Sequence, residues 1–281
     1  MTNRELYNNT AAALKNSGCD FSDYDIRCLM EHFLGVTRTE LAYGIPCTAD
    51  EGALALFNDA VQKRCAGIPL QYILGEWTFM DAGLFVGEGV LIPRDDTEVC
   101  VRECISFLGN ATAPRIIDLC SGSGAIAIAL AMHYPGAEIT AVELSDEAFP
   151  YLQRNIVYNN TTGVRAVKGD IALMHSEYPD GYFDAVISNP PYIRSAEIPL
   201  LQKEVQSEPV MALDGGEDGL DMYRIIAGCW LKKLRPGGMI SLEIGEEQGE
   251  SVSALLKKEG ARDIRVVKDI AGLDRTVTAL A

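Results

Sequence analysis

Asn189-Pro190-Pro191-Tyr192 is the stretch of this chain whose residue types are best suited to chemistry. Two consecutive prolines donate no backbone N–H, so the strand candidate before them, Tyr182–Ser188, must end there. They also fix φ and hold the neighbouring carbonyls in place. A planar amide or aryl amine is a poor nucleophile because its nitrogen lone pair is delocalised. The Asn189 side-chain oxygen and the Pro190 carbonyl could each accept one N–H of a substrate –NH2. Two such acceptors out of the plane favour a more tetrahedral nitrogen, with its lone pair aimed at an electrophilic carbon. Tyr192 would pack on the flat face of the group. No base is required before transfer, since the proton turns acidic only once nitrogen carries positive charge. Positioning and electrostatics would supply most of the rate.

A second constellation is Asp118-Leu119-Cys120-Ser121-Gly122-Ser123-Gly124. It lies between the strand candidate Arg115–Leu119 and the apolar helix Ala125–His133, at the carboxyl edge where open α/β sheets bind ligands. Gly122 and Gly124 let the backbone approach a ligand closely. Glu143 ends the next strand, 138–143, where a carboxylate can accept hydrogen bonds from both hydroxyls of a ribose. The pattern therefore points to a nucleoside cofactor. A dinucleotide site wants a third glycine, but Ile126 and Ala127 follow here. Asp118 would repel a pyrophosphate and suit a cationic sulfonium with its ammonium group. S-adenosylmethionine is favoured over a dinucleotide. Asp170, after the third strand, could meet an adenine amine.

The elements that position these residues follow from periodicity. Strand candidates at 115–119, 138–143, 164–167, 182–188 and 239–244 alternate with helices, which implies right-handed crossovers and a mainly parallel sheet covered on both faces. Ile264–Val267 and Thr276–Ala279 complete a terminal pair, and Leu234–Gly238 reads as a turn into the fifth strand. The first seventy residues differ. A helix is expected over 3–16, and Ser22…Asp25 reads as a capping box before Ile26, Leu29, Met30 and Phe33. Thr48…Glu51 repeats that signal before Leu54, Phe57, Val61 and Cys65. Alternation near Trp77, Phe79, Leu84 and Phe85, punctuated by glycines, predicts a hairpin joining two domains. The expected division is a helical domain over 1–75, a hairpin linker over 76–93 and the α/β domain over 94–281.

Composition excludes several classes. Forty acidic residues against 24 basic ones give a net charge of −16, which repels phosphate backbones and anionic membranes. No apolar run approaches the length of a membrane span, and the start of the chain lacks a secretion signal. The eight cysteines show no C-x-x-C pair and read as reduced thiols of a cytoplasmic protein; no metal site is expected. His32, His133 and His175 belong to no motif.

More of the chain narrows the reading. Leu91–Glu98, the turn at 118–124, Asn189–Tyr192 and the stretch Glu208-Pro209…Leu213-Asp214-Gly215-Gly216…Tyr223 together resemble the HemK/PrmC family, over nearly the whole chain. The resemblance implies a class I S-adenosylmethionine-dependent methyltransferase fold: a mostly parallel seven-stranded sheet with helices on both faces, preceded by a small helical domain. It implies methylation of the side-chain amide of the glutamine in the Gly-Gly-Gln motif of peptide chain release factors, leaving S-adenosylhomocysteine. By position, the cofactor residues fall on Cys120, Ser121, Gly122, Ser123, Gly124, Glu143, Asp170, Ile171 and Asn189. The substrate residues fall on Asn189, Pro190, Pro191 and Tyr192, of which Asn189, Pro190 and Tyr192 would be catalytic. Three departures stand out: Cys120 for the usual first glycine, Glu143 where Asp is common, and Asp95 where proline is frequent. A monomer acting on release factors, without nucleic acid or membrane, is expected. The rivals are a glutamine methyltransferase of a ribosomal protein, an adenine-amine nucleic-acid methyltransferase, and a non-enzymatic cofactor-binding module.

Overall fold

The computed structural model describes all 281 residues. Met1–Gly75 with Gln202–Ser207 form one unit, and Glu76–Leu201 with Glu208–Ala281 form the other.

The first unit is helical. It holds α1 (Asn3–Ser17), α2 (Asp23–Leu34), α3 (Arg38–Ala42), α4 (Glu51–Cys65), α5 (Leu70–Leu74) and, from later in the chain, α10 (Lys203–Gln206). Thr2, Ser22 and Thr37 each form a capping box with the acid three residues on. The box expected at Thr48 does not form. Asp50, as strong a cap as threonine, accepts from Ala53 N at 2.8 Å and starts α4 itself. Leu14, Ile26, Leu29, Met30 and Phe57 fill the core. Among them Arg64 is only 2 % exposed. Its guanidinium meets Asp25 at 2.9 Å, Glu204 at 2.6 Å and the Asp20 carbonyl at 2.6 Å. A buried cation needs such a full set of acceptors, and Glu204 is the reason the short segment 202–207 packs here.

The second unit opens with a hairpin, β1 (Glu76–Phe79) and β2 (Ala82–Phe85). Then follow α6 (Thr97–Leu108), β3 (Arg115–Leu119), α7 (Ala125–His133), β4 (Glu138–Glu143), α8 (Ala148–Tyr158), β5 (Val164–Lys168), α9 (Ile171–Met174) and β6 (Phe183–Ser188). After these come α11 (Val210–Leu213), α12 (Asp221–Trp230), β7 (Leu234–Glu243), α13 (Gly249–Lys258), β8 (Arg262–Lys268) and β9 (Asp274–Leu280). The sheet order is β5-β4-β3-β6-β7-β9-β8, with β9 antiparallel to both of its neighbours and the remaining pairs parallel. Alternation decides which side each residue takes. Ile116, Ala185 and Ile187 enter the core under α6, α7 and α8. Ile117, Val186 and Val142 enter the opposite core with Trp230 and Val252.

β4 and β5 build outward on one side of β3, and β6 with β7 build on the other. The order therefore reverses between β3 and β6, and a crevice opens at their carboxyl ends. The Leu234–Gly238 turn is absorbed into β7, where the register slips between Phe183 and Ala185. The hairpin packs on α8: Asn155 Oδ1 accepts from Phe85 N at 2.7 Å, and Asn159 Nδ2 donates to the Gly83 carbonyl at 2.8 Å.

Candidate active site

The glycine turn leaves β3 through three left-handed residues, Cys120 (φ 60°), Gly122 (φ 54°) and Gly124 (φ 87°). Glycine takes this conformation freely, whereas a Cβ costs on the order of 1 kcal/mol. Cys120 thus bears strain that a glycine would not. Burial pushes its thiol well above the usual range, so the sulfur stays neutral. A Cβ at Gly124 would stand 2.6 Å from Leu152 Cδ1, and the residue bearing it would have to adopt φ 87°, a conformation glycine takes without strain. Asn155 fixes the turn from behind, donating to the Ser123 carbonyl at 2.9 Å.

Glu143, at the end of β4, is nearly buried. One carboxylate oxygen accepts from Gly122 N at 2.8 Å and the other from Ser145 N at 2.6 Å. Each oxygen can accept one bond more, and Glu143 lines the cavity at this edge. Asp170 caps α9 by accepting from Ala172 N at 2.8 Å.

Cys120 to Ser123, Glu143, Asp170, Ile171, Asn189 and Pro191 line a single cavity of about 460 Å3. Gly124 sits behind it. Asp214 and Asp221 add two more acids to the lining, and no Lys, Arg or His contributes. Such a wall opposes a pyrophosphate and accommodates a sulfonium, an ammonium and ribose hydroxyls, so the donor set fits S-adenosylmethionine. No cluster of His, Cys, Asp and Glu suited to a metal ion occurs, and all eight cysteines are free.

Asn189 follows β6 directly, and its Nδ2 donates to Thr97 Oγ1 at 3.2 Å. That leaves Oδ1 as the free end of the amide. Pro190 is buried, and Tyr192 packs against the core of Tyr223 and Ile244; neither lines the cavity. Burial pushes the Tyr192 phenol up to about 12, so it stays protonated. The Tyr192 carbonyl accepts from Gln248 Nε2 at 2.9 Å. Gly215 lies against this segment so closely that a Cβ would meet Tyr192 Cα at 2.8 Å and the Pro191 carbonyl at 2.9 Å. Gly215 is what lets the Pro-Pro-Tyr backbone lie here, whereas Gly216, at φ 91°, abuts Asp221.

Asp118 requires a correction. Its expected role was to face the cofactor's cationic groups, but its side chain points into the protein under the turn and does not line the cavity. Neither oxygen has a hydrogen bond of good geometry. Burial drives its pKa up to about 8, and the nearby Ser121 hydroxyl and Ala127 N–H offset this only in part. It is mostly neutral at pH 7.

Three contributors had no role assigned from the sequence, although Thr97 and Glu208 lie in segments that carry the family resemblance. Thr97 lines the cavity and orients Asn189. Glu208, 4 % exposed, accepts from Ile92 N at 3.0 Å and pairs with Arg94, fixing the 91–97 segment. Asp96 occupies the N-cap of α6 without a side-chain cap bond, so this segment serves the cavity more than the helix. Gln248 holds Tyr192. Only the Arg94…Glu208 charge complement could have been suspected from sequence.

Residues 5–75 match the PrmC N-terminal domain, and residues 99–212 match the methyltransferase small domain. A release factor glutamine methyltransferase of Caulobacter vibrioides is 37 % identical over 94 % of this chain and 91 % of its own length. One of Moorella thermoacetica is 36 % identical over 99 % and 98 %. Among solved structures, a Pyrococcus furiosus methyltransferase aligns with TM-score 0.52 and 19 % identity over 82 % of this chain and 96 % of its own. The catalytic domain of hMettl16, in complex with MAT2A 3′UTR hairpin 6, aligns with TM-score 0.57 and 17 % identity over 82 % of each chain. These two share the fold: a class I S-adenosylmethionine-dependent methyltransferase sheet. With identity above a third across nearly the whole length, the chain belongs to the release factor glutamine methyltransferase family.

Proposed function

We propose that this enzyme methylates the side-chain amide nitrogen of the glutamine in the Gly-Gly-Gln motif of peptide chain release factors. The observation that carries this reading is the orientation of Asn189, whose Nδ2 is taken by Thr97 while Oδ1 is left for a substrate N–H. Asn189 lines the same cavity as Glu143 and the glycine turn. S-adenosylmethionine, when bound, supplies an electrophilic methyl on a positively charged sulfur.

The chain's own groups do the rest. Glu143 accepts from the ribose hydroxyls, and Asp170 with the Ile171 backbone holds the adenine edge. The backbone of Cys120 to Ser123 would hold the cofactor's methionine portion, with Gly124 shaping the turn behind it. Asn189 Oδ1 accepts one N–H of the glutamine amide, and Pro191 bounds its approach. The Pro190 carbonyl, outside the cavity lining here, would accept the other N–H only if the bound substrate reaches past Pro191. Tyr192 acts through the backbone it anchors, with Gln248 and Gly215 setting where Pro190 sits. As the new N–C bond forms, the bond from that carbon to sulfur breaks with its electron pair left on sulfur, so S-adenosylhomocysteine would leave neutral. The nitrogen gains positive charge and loses one proton to water. The acidic wall stabilises that developing charge.

The helical residues 1–75 carry no catalytic group and, in this reading, dock the body of the release factor. A remote contact offsets the entropy of ordering a small flexible loop in the pocket. The intact factor should then far exceed a short Gly-Gly-Gln peptide in kcat/KM. Equal values would leave docking nothing to do. The reading also places the enzyme with its release-factor substrate in the cytoplasm, working as a monomer that needs no second chain to complete the site.

Purified release factor, large-subunit ribosomal protein and DNA, each incubated with labelled cofactor, test the substrate. Label on the Gly-Gly-Gln glutamine is the expected result. Label only on a ribosomal glutamine or an adenine would replace it with that rival, and label on none would favour a binding module.

A further inference from the structure

An amide side chain has nearly the same shape whichever way it points. What decides that Oδ1 of Asn189, and not Nδ2, faces the substrate must be the polarity of its neighbour. That neighbour is Thr97 Oγ1, which accepts the Nδ2 proton at 3.2 Å. A hydroxyl can do this dependably only if its own proton is committed elsewhere. At the carboxyl end of β7, next to β6 in the sheet, stands Glu243. Its side chain is 1 % exposed, its Oε2 has no hydrogen-bond partner, and the Thr97 hydroxyl lies near enough to favour its charged form. A carboxylate accepts and does not donate, so the Thr97 proton is the one it draws.

We propose that Glu243 and Thr97 are positioning residues: the carboxylate polarises the threonine hydroxyl, which locks the Asn189 amide with its oxygen toward the substrate nitrogen. The inference rests on the glutamine methylation proposed above. Neither residue touches the reacting atoms. Their effect is on the fraction of enzyme whose Asn189 presents an acceptor.

The relay reverses on protonation. A neutral carboxyl donates to Thr97, the Thr97 hydroxyl is then free to donate to Asn189, and the amide is no longer held one way. The groups facing Glu243 are Arg275 on β9, Arg94 and Asp96 ahead of α6, Cys100 on α6, Tyr192 after β6 and Tyr223 on α12. Burial outweighs the two arginines, and the carboxyl is pushed up to about 7. The active form is therefore the deprotonated one, and turnover should rise with pH through that region.

The test uses the full chain, whole release factor and four proteins: wild type, Thr97→Ser, Thr97→Val and Glu243→Gln. Thr97→Val keeps the shape and removes the hydroxyl, and Thr97→Ser restores it. Expected for Thr97→Val is a fall in kcat of about tenfold or more, in the range seen when a supporting hydrogen-bond partner is lost. Thr97→Ser should recover most of it, with S-adenosylhomocysteine affinity within about twofold throughout. Glu243→Gln should lower kcat and abolish the rise with pH. Thr97→Val at wild-type kcat, or an unchanged pH limb in Glu243→Gln, overturns the proposal. Should Glu243→Gln fail to bind S-adenosylhomocysteine, the Thr97 pair decides alone. Wild-type enzyme that does not label glutamine would instead sink the substrate reading, and that outcome is read before any variant is compared.

Discussion

The Ser188 hydroxyl donates to the Leu119 carbonyl at 2.6 Å, with both residues fully buried. Each is the last residue of its strand, the one before Cys120 and the one before Asn189. This bond ties the glycine turn to the Asn-Pro-Pro-Tyr segment at the switch point of the sheet. Ser188→Ala should cost about 1–3 kcal/mol, because the Leu119 carbonyl is left buried without this donor. Urea denaturation measures the loss, and S-adenosylhomocysteine affinity should fall with it. Full stability in the variant would mean the two strand ends are held by the ladder alone.

Glu143→Ala should weaken S-adenosylhomocysteine by about 1–3 kcal/mol, through the lost ribose acceptors. The Gly122 and Ser145 amides lose their acceptor in the same change, so the turn loosens too. Calorimetry checks this, and an unchanged dissociation constant would place the ribose elsewhere.

Asn189→Ala separates binding from chemistry. Turnover should drop by about two orders of magnitude, as when one preorganised polar partner of a reacting group is removed. Affinity for S-adenosylhomocysteine should stay within a few-fold. A surviving kcat would reduce Asn189 to a strand terminator.

Gly215→Ala tests whether backbone placement of Pro190 and Pro191 matters. The new methyl would press on Tyr192 Cα at 2.8 Å and on the Pro191 and Gly219 carbonyls at 2.9 Å. All three are main-chain atoms that cannot rotate away, so overpacking of about 1–3 kcal/mol is expected, with a fall in kcat larger than any change in cofactor affinity. Equal activity would mean that the segment can shift without consequence.

The parts of this molecule legible in the sequence are those in which neighbours along the chain set the structure. Ile116 and Ile117 face opposite cores because strand side chains alternate, and buried strands announce themselves by apolar runs. Helices α3, α5, α10 and α11 have five residues or fewer, too short for a 3.6-residue period to show. Thr97, Glu208 and Gln248 act across gaps of 92, 116 and 56 residues, and no local pattern marks such a partner. Asp118 misleads for a related reason. Its position at a ligand edge is visible in sequence, but that the side it shares with Ile116 is closed over beneath the turn is not.

The buried carboxyl of Asp118 makes a pH-dependent contribution whose sign is fixed by its environment. Burial raises it from 3.8 to about 8 in the folded protein. Between those values the folded protein keeps a proton that the unfolded chain has released, so folding takes up a proton. Stability from this group is therefore complete at low pH, falls as pH rises through the window, and stops falling above about 8. The slope approaches about 1.4 kcal/mol per pH unit for one proton. Asp118→Asn keeps the shape and cannot ionise, so it lacks this slope. Denaturant midpoints without cofactor, taken at pH 5, 6, 7 and 8 for both proteins, bring out the effect, since groups remote from Asp118 titrate alike in the two and cancel. The variant should gain stability relative to wild type at each step upward. A constant difference across the series would mean that Asp118 is ionised in the folded state and has found a partner, which would return it to the cofactor side of the turn.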